Sequence, residues 1–248
     1  TRTWRRRRID AAMKPALARA GYSWLLRLLA PAYFARLWWR GRREPLYRSA
    51  WPERLGLGDG QVDAGRVWIH AVSLGETRAA KTLVDALRQQ VPGVRLLLTH
   101  GTATGREAGR ALLQPGDAQA WLPYDTPGAV RRFLQRHRPA VGVLMETEIW
   151  PNLLLATQAA GLPMVLANAR LSERSAAKGR RLAALLEPAA QALSVALAQS
   201  EADAHRLKAA GVVQVDEPQT RLYHHFAHRS AMGESGTGQR WALLSVGQ

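Results

Sequence analysis

The feature that most constrains this chain is a strict alternation of short apolar runs and helix-spaced segments. It starts after the Gly/Asp-rich linker Leu55–Gly65. Val67–Val72 is an apolar run of strand length, and Glu76–Gln90 follows with Ala79, Leu83, Val84 and Leu87 at helical spacing. The pattern repeats: strands at Val94–Thr99, Ala118–Leu122, Val141–Met145, Pro163–Ala167 and Val195–Ala198; helices at Thr104–Leu113, Pro127–His137, Trp150–Ala160, Ser172–Ala192 and Glu201–Ala210. Strands and helices in alternation with short loops mean βαβ units and a parallel sheet. Strands that are apolar throughout suit a sheet covered on both faces. The predicted class is α/β, with a Rossmann-like parallel sheet.

In such sheets ligands bind beyond the carboxyl ends of the strands. That directs attention to the loops after them. The first reads His70-Ala71-Val72-Ser73-Leu74-Gly75-Glu76-Thr77. Gly75 is expected to let the backbone turn tightly into the helix. Glu76 then stands at a helix start, where a carboxylate can take a proton from a substrate hydroxyl or simply complement the helix dipole. The second loop carries Glu146 and Glu148, two carboxylates directly after an apolar strand, a costly placement unless they are used or paired. One can stabilise an oxocarbenium-like transition state; the alternative is a cap for the helix beginning near Pro151. In the third, Ser172 and Ser175 can cap a helix. Arg170 and Arg174 can bind phosphate or carboxylate, or form a solvated helix start. The loop His100-Gly101-Thr102-Ala103-Thr104-Gly105 can cradle an anion. It lacks the Lys and spacing of a P-loop, and no GxGxxG follows a strand. The histidines at 224, 225 and 228 lack a second ligand group at recognised spacing, so no metal is expected.

Charge and composition narrow the partners. Hydrophobic residues make up 47%, which excludes a disordered chain. Cysteine is absent, so disulfides, thiolate metal sites and a catalytic Cys are ruled out. The net charge of +16 attracts anions, although Arg-favouring codons account for part of it. The stretch Tyr22–Trp39 is rich in Leu, Trp and Tyr but is interrupted by Arg27, Pro31 and Arg36. It falls short of the ~20 apolar residues of a spanning helix. It reads as an interfacial helix, with Trp24, Trp38 and Trp39 at the headgroups and Arg40, Arg42 and Arg43 toward anionic lipid; the alternative is a helix packed on the domain. The first Met is Met13, and residues 1–12 are read as lying upstream of the true start.

The stretches WIHAVSLGET, LPYDTPGAVRRFL, METEIWPNLL, LANARLSERS and AQSEADAHRL, in this order, resemble the 3-deoxy-D-manno-octulosonic acid (Kdo) transferases. The resemblance runs from Met13 to about Gly211 and takes in the N-terminal Trp- and Arg-rich segment. It implies the N-terminal domain of a glycosyltransferase-B fold, preceded by a membrane-associated helix on the cytoplasmic face of a bacterial inner membrane. Such an enzyme moves Kdo from CMP-Kdo to the lipid A precursor in lipopolysaccharide synthesis, with inversion and without metal or other cofactor. On that resemblance Glu76 matches the family's base and Glu146 its transition-state carboxylate. Ser73, Gly75, Arg170 and Arg174 become substrate-binding candidates. The partners implied are the lipid acceptor, the sugar nucleotide and a membrane surface. Nucleic acid is not expected, since no RNP, helix-turn-helix or zinc pattern appears.

The expected organisation is an anchoring segment at 13–50, an acceptor-binding domain at 64–215 and a tail at 216–248 outside the family pattern. From Gln214 the alternation is expected to stop, where the family has a Thr-Gly-Asn-Leu-Lys-Phe-Asp-like segment. One permitted set of codons for Glu217–Tyr223, read from its second base, gives Asn-Leu-Lys-Leu-Asp-Phe. A one-base shift would account for the departure, and the tail is then expected to lack order; the alternative is a genuine divergent tail. The donor domain would then be missing, leaving an acceptor-binding module without catalysis as the alternative to an enzyme.

Overall fold

A computed structural model describes residues 2–58 and 63–216. Seven strands form one sheet in the order β3-β2-β1-β4-β5-β6-β7: β1 (Val67–His70), β2 (Leu96–His100), β3 (Ala118–Trp121), β4 (Val141–Met145), β5 (Met164–Ala169), β6 (Val195–Ala198) and β7 (Val215–Asp216). Every neighbouring pair is parallel. The order reverses between β1 and β4. Loops leaving these two neighbours run to opposite sides and open a crevice at their carboxyl ends.

The sheet is buried on both faces, as the apolar strands require. Trp68, Leu97, Leu144 and Leu166 point to one side, against Phe133, Leu153, Leu154 and Leu207 from the helices. Val67, Ile69, Leu96, Leu98 and Val143 point to the other, against Val84 and Leu87. The side-chain period of two along a strand produces this division.

The helices are α1 (Arg2–Arg40), α2 (Leu74–Gln90), α3 (Ala103–Arg110), α4 (Pro127–His137), α5 (Pro151–Ala159), α6 (Glu173–Arg181), α7 (Ala183–Gln191) and α8 (Glu201–Ala209). Most bounds fall within two or three residues of the sequence reading. Three findings differ from it. The expected single helix Ser172–Ala192 is two, broken at Leu182, because α6 buries no side chain whereas α7 turns Ala189 and Ala190 into the core. The alternation does not stop at Gln214: Val215 and Asp216 add a seventh strand beside β6. Helix α1 begins at Arg2, through the residues that the sequence reading set aside. Residues 217–248, with the histidine cluster and most of the proposed tail, lie outside the described residues.

Helix α1 packs on the domain along one face. Leu37 is buried, and Tyr33 and Phe34 pack with Tyr47, Trp51 and Trp121. A polar seam adds to this contact: Arg19 Nε and Ser23 Oγ donate to Asn152 Oδ1 at 2.9 and 3.2 Å, and Tyr22 donates to Asp125 at 2.9 Å. The opposite face leaves Trp24, Leu25, Leu28, Leu29 and Trp39 exposed, while Trp38, half-exposed, meets Trp51 edge-on. Among the described residues no helix is long and apolar enough to cross a membrane.

Candidate active site

The crevice between β1 and β4 is where the carboxylates singled out in the sequence meet. Ser73 is the N-cap of α2 and Glu76 its third residue, a Ser-x-x-Glu arrangement that satisfies orphan donors at the helix start. Glu76 Oε1 accepts from Ser73 Oγ at 2.9 Å, and Oε2 accepts from the Val72 N–H at 2.7 Å. The carboxylate is buried, with 7% exposure. Burial raises its pKa above the usual carboxylate range, the Val72 and Ser73 bonds pull it back down, and the Glu146 charge raises it again. Cap and poised carboxylate are therefore one group: the bonds that finish the helix also aim the oxygens.

Gly75 does not have the role expected of it. It lies exposed in the first turn of α2, its φ outside the left-handed region, and a Cβ there would meet only Ser73 Oγ, at 3.8 Å. The turn needs no glycine. What Gly75 provides is bare backbone beside Glu76.

Glu146 and Glu148 do not cap α5. That helix receives its cap from a distance: Asn152 N and Leu153 N donate to the Asp125 carboxylate at 3.1 and 2.8 Å. The two glutamates are thus free of the role that competed with function. Glu146 is exposed at the end of β4 and holds φ = 60°, left-handed backbone that a glutamate rarely adopts. Such strain concentrates at functional sites. Glu148 turns inward instead. Its Oε2 is buried, and burial followed by the Glu76 charge pushes its pKa up to about 7, with the Trp150 side chain pulling it back down. The resemblance assigns a role to Glu146 and none to Glu148. The available signal was its place beside Ile149 and Trp150, an apolar flank that draws the side chain inward.

Arg170 and Arg174 are both exposed. Arg170 is tied to the glutamate loop through Thr147, whose hydroxyl accepts from Arg170 N at 2.9 Å and donates to Arg170 O. Arg174 lies in the first turn of α6, which Ser172 caps through Ser175 N at 3.2 Å. The structure thus joins Arg170 to the glutamate loop, and no bond ties Arg174 to it. The loop His100–Gly105, read as able to cradle an anion, uses three of its N–H donors internally. Gly101 N and Thr102 N both donate to Val72 O, and Gly105 N donates to Thr102 Oγ1.

A family described as 3-deoxy-D-manno-octulosonic-acid transferase (kdotransferase) matches residues 49–217, which takes in every strand and every loop discussed above. The chain belongs to the Kdo transferase family. Curated relatives agree. The 3-deoxy-D-manno-octulosonic acid transferase of Bordetella pertussis is 43% identical over 232 residues, 85% of this chain and 54% of that protein. Its counterpart from Haemophilus influenzae is 33% identical over 192 residues, 77% of this chain and 45% of its own length. A probable mitochondrial 3-deoxy-D-manno-octulosonic acid transferase of Arabidopsis thaliana is 34% identical over 148 residues. The chain spans about half the length of the first two of these Kdo transferases.

Proposed function

We propose that this chain is the acceptor-side half of an inverting glycosyltransferase that moves Kdo from CMP-Kdo to the lipid A precursor. The observation that carries the reading is Glu76: a buried carboxylate at the β1/β4 crevice, fixed by two hydrogen bonds and raised in pKa. A general base needs that combination of fixed aim and increased basicity. Glu76 takes the proton of the acceptor hydroxyl while its oxygen attacks the anomeric carbon of Kdo. The bond to the CMP phosphate breaks on the opposite face, and its electron pair leaves with CMP. The exposed carboxylate of Glu146 faces the positive charge that develops on the sugar. Arg170 and Arg174 take the acceptor's phosphates, with Ser73 and the bare backbone of Gly75 beside the attacking hydroxyl. No metal or other cofactor enters these steps. On this reading the site works at a membrane surface, the cytoplasmic face of a bacterial inner membrane, and the exposed apolar residues of α1 support that reading.

On this reading the donor binds in the second Rossmann-like domain of a glycosyltransferase-B enzyme, and turnover requires both halves. The test is to join residues 1–216 to the C-terminal half of a relative and assay transfer from CMP-Kdo to lipid A precursor. Glu76→Gln should reduce kcat by ~10²–10⁴-fold. A variant within tenfold of the unaltered enzyme would remove Glu76 from the role of base. Retention of acceptor without transfer, in the joined protein as well as in the chain alone, would point instead to a non-catalytic acceptor-binding module.

A further inference from the structure

The loop His100–Gly105 has another use, and it concerns how Glu76 is aimed. The Val72 N–H that donates to Glu76 Oε2 belongs to the same peptide unit as the Ala71 carbonyl. That carbonyl accepts from His100 Nδ1 at 2.9 Å. A carbonyl only accepts, so Nδ1 carries the proton. His100 is 1% exposed. Burial, together with the Arg106 charge, lowers its pKa to about 4, so the ring is neutral where a carboxylate base works. A continuous line results: His100 Nδ1–H to the Ala71 carbonyl, across one peptide, and from Val72 N–H to the Glu76 carboxylate. Hydrogen bonds in series polarise one another.

The surroundings hold that line in place. The next peptide is clamped as well: Val72 O accepts from Gly101 N at 3.1 Å, Thr102 N at 3.0 Å and Thr102 Oγ1 at 3.0 Å. A Cβ on Gly105 would lie 2.9 Å from Val72 O, so the approach of α3 to this loop depends on glycine there. The ring itself is seated against Gly109, where a Cβ would come 2.4 Å from His100 Nε2.

We propose that His100 is a positioning residue for Glu76, acting through the single peptide between Ala71 and Val72. It touches no substrate. Its significance for turnover rests on the reading of Glu76 as the base, but the coupling itself is measurable without any transfer. The experiment is a ¹³C titration of the Glu76 carboxyl in this chain, with the Val72 amide proton followed alongside. His100→Leu removes the donor. His100→Asn keeps an N–H close to the place of Nδ1. Gly109→Ala displaces the ring without changing its chemistry.

A donor stabilises the carboxylate, so its loss should raise the Glu76 midpoint by about 0.5 pH unit or more in His100→Leu and in Gly109→Ala. Asn should restore it. A folded His100→Leu chain with the midpoint and the Val72 amide both unmoved would overturn the proposal. Should the variants fail to fold, the ring nitrogens of the unaltered chain decide. A proton on Nδ1 with coupling to the Ala71 carbonyl supports the line, and a proton on Nε2 sinks it. A joined enzyme that never transfers Kdo would overturn the proposed function and leave these results standing.

Discussion

Gly75 separates two demands that a single position can carry. In the first turn of a helix, exposed and with ordinary backbone angles, it gives up stability that alanine would supply. Gly75→Ala should therefore stabilise the fold by ~0.5 kcal/mol, read as a small rise in the midpoint of thermal unfolding. If bare backbone beside Glu76 is what the acceptor sugar needs, the same change raises KM for the acceptor severalfold. Unchanged acceptor affinity in a stabilised variant would take Gly75 out of the site. Several candidate residues stand out in the sequence for a physical reason: Ser73, Glu76, Glu146 and Arg170 all follow apolar strands, and carboxyl ends of parallel strands are where sites form. Asp125 had no comparable signal, and although His100 and Glu148 also stand at the ends of apolar strands, what each does there was not legible. Their importance comes from burial and from partners distant in sequence, as when Asp125 caps a helix that starts at Pro151.

The contact between α1 and the start of α5 is the element-scale counterpart. Asp125 receives Tyr22 of α1 and two N–H groups of α5, yet burial outweighs these bonds and pushes it from 3.8 up to about 6. Below about pH 4 the carboxyl is protonated in folded and unfolded chains alike. As pH rises toward 6 the unfolded chain ionises in water while the folded chain resists. Asp125 therefore contributes its stability in acid and loses it as pH rises through about 6, an effect of order 2–3 kcal/mol. Asp125→Asn stays neutral, with a fixed loss from one missing acceptor oxygen. Chemical denaturation from pH 4 to 7 should show the unaltered chain losing stability relative to the variant. Parallel curves would mean that Asp125 ionises as freely in the fold as in water. The alternation of elements was readable because strand and helix periods differ. The break between α6 and α7 was not, because a helix that buries nothing has no apolar face to mark where it ends.

The whole molecule presents two kinds of surface on α1. One face joins the domain through Tyr33, Phe34 and Leu37; the other leaves Leu17, Trp24, Leu25, Leu28, Leu29 and Trp39 exposed, with Arg27, Arg36, Arg42 and Arg43 among them. The reading as a packed helix describes the first face, and the reading as an interfacial helix is a proposal for the second. A spanning helix would need neither the polar seam to Asn152 nor arginines beside its tryptophans. On the proposed reading as an interfacial helix both have a use: the seam would fix the height of the crevice above the bilayer, the rings would enter the headgroup region, and the guanidinium groups would meet lipid phosphate. Two forces then act together, and salt separates them. Cosedimentation with vesicles containing anionic lipid should be strong at low salt and weaker as ionic strength rises, by ~1 kcal/mol for each arginine near the surface. Trp24→Ser with Leu28→Ser should weaken binding at every salt concentration, because each removes apolar contact worth ~1.5–3 kcal/mol when fully buried. Arg42→Gln with Arg43→Gln should weaken it at low salt and converge with the unaltered chain at high salt. Binding that depends on the arginines alone, and that heparin or DNA captures equally well, would mean that the charge is not specific to a membrane surface and that the exposed stripe is covered by something else.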